Sequence, residues 1–317
     1  MGKLAFLFPG QASQYSGMGK ELAGKFAVSR AVFEEADQSL GVGLSRICFE
    51  GSEEELKLTE NTQPAILTVS VAALRALQEK GIAPDYVAGH SLGEYSANVA
   101  AGSLEFADAV RLVRKRGKYM QEAVPAGEGA MAAILGLAPA QIEEICKKAA
   151  EGEAVSPANL NSPEQTVISG RAGAVKRAVE LASQAGAKRA VILPVSAPFH
   201  SELMIPAQQR LEVDLRQTTF RDLRCPLVNN ADADLVEKGE DARDSLIRQV
   251  CLPVRWEESV RVLIAQGVTT FIEVGPGKVL SGLLRQIDRS VHCLNVEDEK
   301  SLSAALEKLA QARAETE

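Results

Sequence analysis

Apolar positions in the first part of the chain follow two alternating rhythms. Short uninterrupted runs, "KLAFLF" at 3–8 and "DYVAG" at 85–89, read as strands buried on both faces. Residues 16–40, 63–80, 92–101 and 105–123 instead carry apolar side chains at helical spacing. This alternation predicts an α/β domain with a mainly parallel sheet. From about residue 127 the pattern changes. "GAMAAILGL" reads as a strand, "PAQIEEICKKAAE" as a helix with Pro139 near its start, and "AVSPANLN" and "EQTVISG" as two strands joined near Ser162-Pro163. "AGAVKRAVELASQAG" is then a helix ending at Gly186, and "AKRAVILPV" a strand. The order β-α-β-β-α-β is the ferredoxin-like arrangement, so residues 127–196 are expected to form a small inserted subdomain. The α/β rhythm then resumes. "LRCPLVNNA", "TTFIEVG" and "SVHCLNV" read as strands, while 241–251, 255–266, "KVLSGLLRQI" and 299–314 read as helices before the tail "ARAETE", which is expected to fray. The large domain is thus predicted from 1–126 and 197–317.

Composition narrows the partners. Of 317 residues, 46% are hydrophobic and 24% charged, which suits a globular chain of one large or two smaller domains. Aromatics at 4% and a net charge of −7 argue against nucleic acid as a partner. The five cysteines are scattered, odd in number and never form C-x-x-C, so neither a disulfide framework nor a zinc site is expected, and a reducing cytoplasm fits. "LAFLF" is too short for a secretory leader, and no run reaches membrane-spanning length, so no membrane partner is expected. "GPGKV" at 275–279 lacks the spacing of a phosphate-binding loop, and "GVGLSR" at 41–46 lacks the third glycine of a dinucleotide fingerprint. No metal or nucleotide cofactor is expected.

Candidate chemistry starts at "GHSLGEYSA", residues 89–97. Gly89-x-Ser91-x-Gly93 after a strand and before a helix fits a sharp elbow that exposes the serine hydroxyl and aims the Leu92 N–H at whatever that hydroxyl attacks. A plain Gly/Ser turn has the same spelling, so the motif needs a base elsewhere. There are three histidines. His90 adjoins the serine, where neighbouring side chains point apart, and reads as a packing residue. His292 alternates within a strand and reads as part of a sheet face. His200, in the proline-containing loop "VSAPFHSELM", is by elimination and position the best general base. The acids between 92 and 199 mostly lie on helix patterns, so a Ser-His dyad with a neutral acceptor orienting the imidazole is expected instead of a triad. By charge pattern alone, Arg116 reads as one of several cations, with Arg111, Arg114, Lys115 and Lys118, on a solvated helix.

Six stretches together, "FLFPGQASQ" at 6–14, "GHSLGEYSA", "RGKYMQEA" at 116–123, "NSPEQTVISG" at 161–170, "APFHS" at 197–201 and "EVGPGKVL" at 273–280, resemble the malonyl-CoA:acyl carrier protein transacylases of bacterial fatty-acid synthesis over almost the whole chain. The resemblance implies an α/β-hydrolase-like domain with a ferredoxin-like insert. It implies Ser91 as nucleophile, His200 as base, the backbone N–H groups of Gln11 and Leu92 as oxyanion donors, and Gln249 as the residue whose carbonyl holds the histidine. Arg116 would bind the substrate carboxylate, and Phe199 would favour malonyl over a branched acyl group. Malonyl-CoA and the phosphopantetheine thiol of an acyl carrier protein would be substrates of a ping-pong cycle, with no cofactor and a monomeric enzyme. Ala12 stands where the family often has glycine, which is tolerable if its φ is negative. A candidate docking patch for the acidic carrier is the basic run 111–118 with Lys188 and Arg189. An acyltransferase serving a polyketide synthase, a serine thioesterase or esterase, and a non-catalytic carrier-binding module are the alternatives. Retention of both Ser91 and His200 speaks against the last.

Overall fold

The structure, a computed structural model, describes residues 2–125, 127–195 and 197–314. Ala126 and Ser196, at the two expected crossings into and out of the insert, and residues 315–317 of the expected frayed tail lie outside the described residues. Ten strands among those described form two sheets: β1 Lys3–Phe8, β2 Tyr86–Gly89, β3 Gly129–Leu135, β4 Val155–Ser162, β5 Gln165–Arg171, β6 Arg189–Ile192, β7 Leu227–Val228, β8 Leu235–Val236, β9 Val268–Val274 and β10 His292–Val296.

The larger sheet runs β10-β9-β1-β2-β7-β8 and is parallel except for the β7/β8 edge. β1 lies inside it, with Phe6 opposite Val87 on one side and Ile272 on the other. Its unbroken apolar spelling follows from burial on both faces. Leu4, Phe6 and Phe8 pack with Leu74, Leu77, Ala97 and Leu302 from the helices Thr59–Glu79, Gly93–Ala101 and Glu299–Ala314. Ala5 and Leu7 pack on the opposite face with Trp256, Val260, Leu280 and Leu284 from the helices Trp256–Ala265 and Val279–Ile287. The loops leaving the carboxyl ends of β1, β2 and β9 converge, and in open α/β sheets this is where ligands bind.

The smaller sheet runs β4-β5-β3-β6, antiparallel throughout. The helices Pro139–Ala150 and Ala172–Gln184 cover one face through Ile142, Cys146, Val175 and Ala178 against Ile134 and Ile168. Met131, Ala133 and Val167 point the other way, into the cavity at the mouth of the large sheet.

Several elements differ from the sequence reading. Residues 16–40 split into Lys20–Lys25 and Ala27–Leu40 because Phe26 takes extended backbone at φ −114° and ψ 121°. The helix expected from residue 63 begins at Thr59 and carries Pro64 inside it. Two short helices, Leu44–Glu50 and Glu53–Lys57, were not anticipated. The expected strand "LRCPLVNNA" pairs only through Leu227 and Val228. Its Asn230 spends its polar groups on the serine elbow instead of on a ladder.

Candidate active site

Gly89 and Gly93 make the elbow possible. A Cβ on Gly89 would lie 1.9 Å from the Gly93 carbonyl carbon, and one on Gly93 would lie 2.0 Å from the Phe8 oxygen. Only glycine permits β1, β2 and the following helix to approach so closely. Ser91 at the apex has φ 51°. Its N–H donates to Asn230 Oδ1 at 2.6 Å, and Asn230 Nδ2 donates to the Gly89 carbonyl at 2.7 Å, so one asparagine staples both limbs of the turn.

His200 meets the serine across 109 positions of sequence, with Nε2 2.7 Å from Ser91 Oγ. Its Nδ1 faces two backbone carbonyls, Gln249 at 2.9 Å and Leu252 at 3.2 Å. Carbonyls only accept, so Nδ1 carries the proton and Nε2 is left as the acceptor for the serine hydroxyl. Among the described residues no carboxylate bonds the imidazole, and the two carbonyls stand where a triad acid would. Burial, then the charge of Arg116, pushes the imidazole down from its ordinary value to about 3. His200 itself has φ 56° and Ala12 has φ 84°. Three of the five non-glycine residues recorded at positive φ are therefore Ser91, His200 and Ala12, and strain gathers at this site. The positive angle at Ala12 corrects the condition under which alanine was expected to be tolerable: the residue sits in the left-handed region that favours glycine.

Arg116 belongs to the buried side of the helix Phe106–Glu122, unlike the half-exposed Arg111, Lys115 and Lys118 around it. Gly117 explains how it sinks so far. A Cβ there would lie 2.5 Å from the Thr59 carbonyl oxygen, so the two helices cross almost backbone to backbone. The guanidinium donates to Gln63 Oε1 at 2.8 Å, Gln249 Oε1 at 3.0 Å and Ser91 Oγ at 3.1 Å, and lies 5.7 Å from the centre of the Tyr95 ring. Its Nε is buried without an acceptor, and among the described residues no carboxylate forms an ion pair with it. A buried cation with an unspent donor and no direct counter-ion can receive an anion.

The remaining predicted residues fall at the same place. Gln11, Leu92, Phe199, Ser91, His200 and Arg116 all line one cavity of about 270 Å³, and Gln249 supports it from below. Among the described residues neither the Leu92 nor the Gln11 backbone N–H has an acceptor within the chain. His90 turns away from the serine, bonding Asn161 Oδ1 at 2.8 Å and packing against Trp256, as expected of a packing residue. His292 lies exposed on the edge strand β10. Gln11, Ala12, Leu193 and Val195 also border a cleft of about 960 Å³ that opens past Leu58, Lys57 and Lys118. The suggested basic patch is less bare than its spelling. Arg111, Lys115, Lys118 and Lys188 each stand within 4.0 Å of a carboxylate, from Asp108, Asp214, Glu122 and Glu164 respectively.

Sequence reasoning missed Asn230, Glu94, Gln63 and the Leu252 carbonyl. Glu94 had a visible signal, since it is the lone charge in "GEYSANVAA", a helix with every residue buried. Gln63, Asn230 and Leu252 come from distant stretches and carry no local mark.

An elbow serine bonded to a histidine, beside two unspent N–H groups, defines an acyl-transferring site, and residues 5–307 match the acyl transferase domain family. The chain is 53% identical over 310 residues, 98% of each chain, to the malonyl CoA-acyl carrier protein transacylase of Bacillus subtilis strain 168. The solved structure of the malonyl CoA-acyl carrier protein transacylase from Coxiella burnetii superposes with a TM-score of 0.95 at 44% identity, covering 97% of this chain and 98% of that one. A malonyl-transacylase in complex with its type II polyketide-synthase acyl-carrier protein superposes at 0.94 with 48% identity, covering 96% and 99%. The chain therefore belongs to the malonyl CoA-acyl carrier protein transacylase family.

Proposed function

We propose that the chain moves a malonyl group from malonyl-CoA to the phosphopantetheine thiol of an acyl carrier protein through a malonyl-serine intermediate. The observation that carries this reading is the unpaired Arg116 guanidinium 3.1 Å from Ser91 Oγ. An acyl group on that oxygen which ends in a carboxylate meets the cation; an acetyl group leaves it unmatched.

In the first half-reaction Ser91 Oγ attacks the thioester carbonyl while its proton passes to His200 Nε2. The new C–O bond puts negative charge on the carbonyl oxygen, which the Leu92 and Gln11 N–H groups meet. One such fixed donor is worth about 3 kcal/mol of barrier. Collapse breaks the C–S bond, and His200 returns its proton to the departing CoA sulfur. In the second half the carrier thiol gives its proton to His200 and attacks the serine ester, and the serine recovers the proton as it leaves. The Gln249 and Leu252 carbonyls support the imidazolium that forms between the steps, with a dipole where a triad would have a charge. Phe199, buried beside His200, narrows the space at the acyl carbon adjoining the thioester and disfavours a methyl branch. The cleft running out past Lys57 and Lys118 suits the extended pantetheine arm common to both thioesters.

We read the architecture as an α/β-hydrolase-like domain, 1–126 and 197–317, with a ferredoxin-like insert at 127–196. The 2-3-1-4 order of the insert's own strands and their antiparallel pairing support this. The insert then roofs the cavity with Met131, Ala133 and Val167.

Intact-protein mass after brief mixing with malonyl-CoA, acetyl-CoA or methylmalonyl-CoA tests the mechanism. One malonyl adduct is expected, absent in Ser91→Ala and weak with acetyl-CoA. Steady CoA release with no adduct would instead identify a hydrolase.

A further inference from the structure

Below the serine lies a carboxylate that the mechanism leaves unused. Glu94 is fully buried in the first turn of the helix that follows the elbow. Its Oε2 accepts from the Asn230 N–H at 2.9 Å and from Gln249 Nε2 at 2.8 Å, and its Oε1 accepts from Ser245 Oγ at 3.1 Å. The Gln249 side chain therefore stands between an acid and a cation. Its Nε2 gives one hydrogen to Glu94 and one to the Ser91 carbonyl at 3.0 Å, while its Oε1 accepts from Arg116 at 3.0 Å.

The orientation of that amide has only one electrostatically acceptable choice. Turned over, its NH2 would face the guanidinium and its oxygen would face the carboxylate, two repulsive contacts between buried side chains. Glu94 thus decides which end of Gln249 meets Arg116. The interposed amide has a second consequence. A carboxylate touching Arg116 directly would occupy the fork that a malonyl carboxylate needs. Held one amide away, Glu94 places an acceptor on Arg116 and leaves Nε unspent.

We propose, building on the malonyl-transfer reading, that Glu94 is a positioning residue for substrate selection: it fixes the Gln249 amide, and that amide holds the Arg116 guanidinium in its malonyl-receiving pose. The contribution is one of reach and acceptor geometry. A glutamine at 94 keeps it, because its oxygen still accepts from Asn230 and Gln249 while its NH2 donates to Ser245. An aspartate keeps the charge but ends one methylene short of Gln249.

The experiment is transfer to acyl carrier protein from malonyl-CoA and from acetyl-CoA by wild type, Glu94→Gln, Glu94→Asp and Arg116→Ala. The readout is the ratio of the two kcat/KM values. Glu94 also supports Asn230 and hence the elbow, but damage there slows both acyl groups alike and cancels in the ratio, as does any loss of folded protein. Glu94→Gln is expected to stay within about threefold of the wild-type ratio. Glu94→Asp should lower the ratio tenfold or more, chiefly through KM for malonyl-CoA. Loss of selectivity in Glu94→Gln with retention in Glu94→Asp would overturn the proposal in favour of a role for charge. An unchanged ratio in both variants would overturn it in favour of a purely structural one. A wild type without malonyl preference, or an Arg116→Ala variant with the wild-type ratio, would refute the reading of Arg116 itself, and the inference would fall with it.

Discussion

Replacing Arg116 with alanine removes the cation and leaves the serine and histidine in place. In the wild-type site the guanidinium is buried, spends three hydrogen bonds on Gln63, Gln249 and Ser91, and keeps Nε free. In the proposed mechanism a malonyl carboxylate takes up the free donor and displaces the weak bond to the serine oxygen once that oxygen is acylated. Two charge-assisted hydrogen bonds at about 1.5–3 kcal/mol each give roughly 3–6 kcal/mol of carboxylate recognition. At about 1.4 kcal/mol per decade, kcat/KM for malonyl-CoA should fall by about 10² to 10⁴. Acetyl-CoA forms neither bond, and its kcat/KM should change by less than about tenfold. The two substrates should approach parity in the variant. The assay is CoA release coupled to carrier acylation, run with both thioesters on the same preparation. An equal fall for malonyl and acetyl would refute the reasoning, because it would make Arg116 a support for the serine and not a reader of the acyl group.

Four other outcomes follow from the same geometry. Phe199→Ser should raise methylmalonyl transfer relative to malonyl, and an unchanged ratio would remove Phe199 from the selectivity account. His200 is held down to about 3, first by burial and then by Arg116, so the native state keeps it neutral while an unfolded imidazole takes a proton near pH 6.5. The unfolded chain then binds more protons below that pH, and wild type should lose stability more steeply than His200→Ala as pH falls from about 6.5 toward 4, as denaturant melts would show; for the same reason malonyl loading should have no acid limb near pH 6.5. Ala12→Gly should relieve the positive φ and stabilise the fold by about 1 kcal/mol in a denaturant melt, without slowing transfer.

Much of this molecule is written locally. The elbow at Gly89–Gly93 is legible because close approach of strand and helix forbids a Cβ at both glycines, a constraint confined to five residues. β1 declares its burial on both faces by an unbroken apolar run, and the β-α-β-β-α-β order of the insert comes from hydrophobic period alone. His200 emerged because so few histidines compete for the role. What the sequence left undecided is whatever depends on one backbone meeting another. Arg116 is spelled like its solvated neighbours, and only the crossing at Gly117, where two helices touch through a glycine and a carbonyl, buries it beside Ser91. The sign of φ at Ala12 came from the loop that Gln11 must turn, not from alanine's own preference. Asn230, Gln63 and the Leu252 carbonyl reach the site from remote segments because buried polar groups at the elbow need partners, and any chain that passes there with the right donor can satisfy them. Sequence marked the serine, the histidine and the layers that carry them; the tertiary structure decided which cation faces the serine and which acid lies one amide away from it.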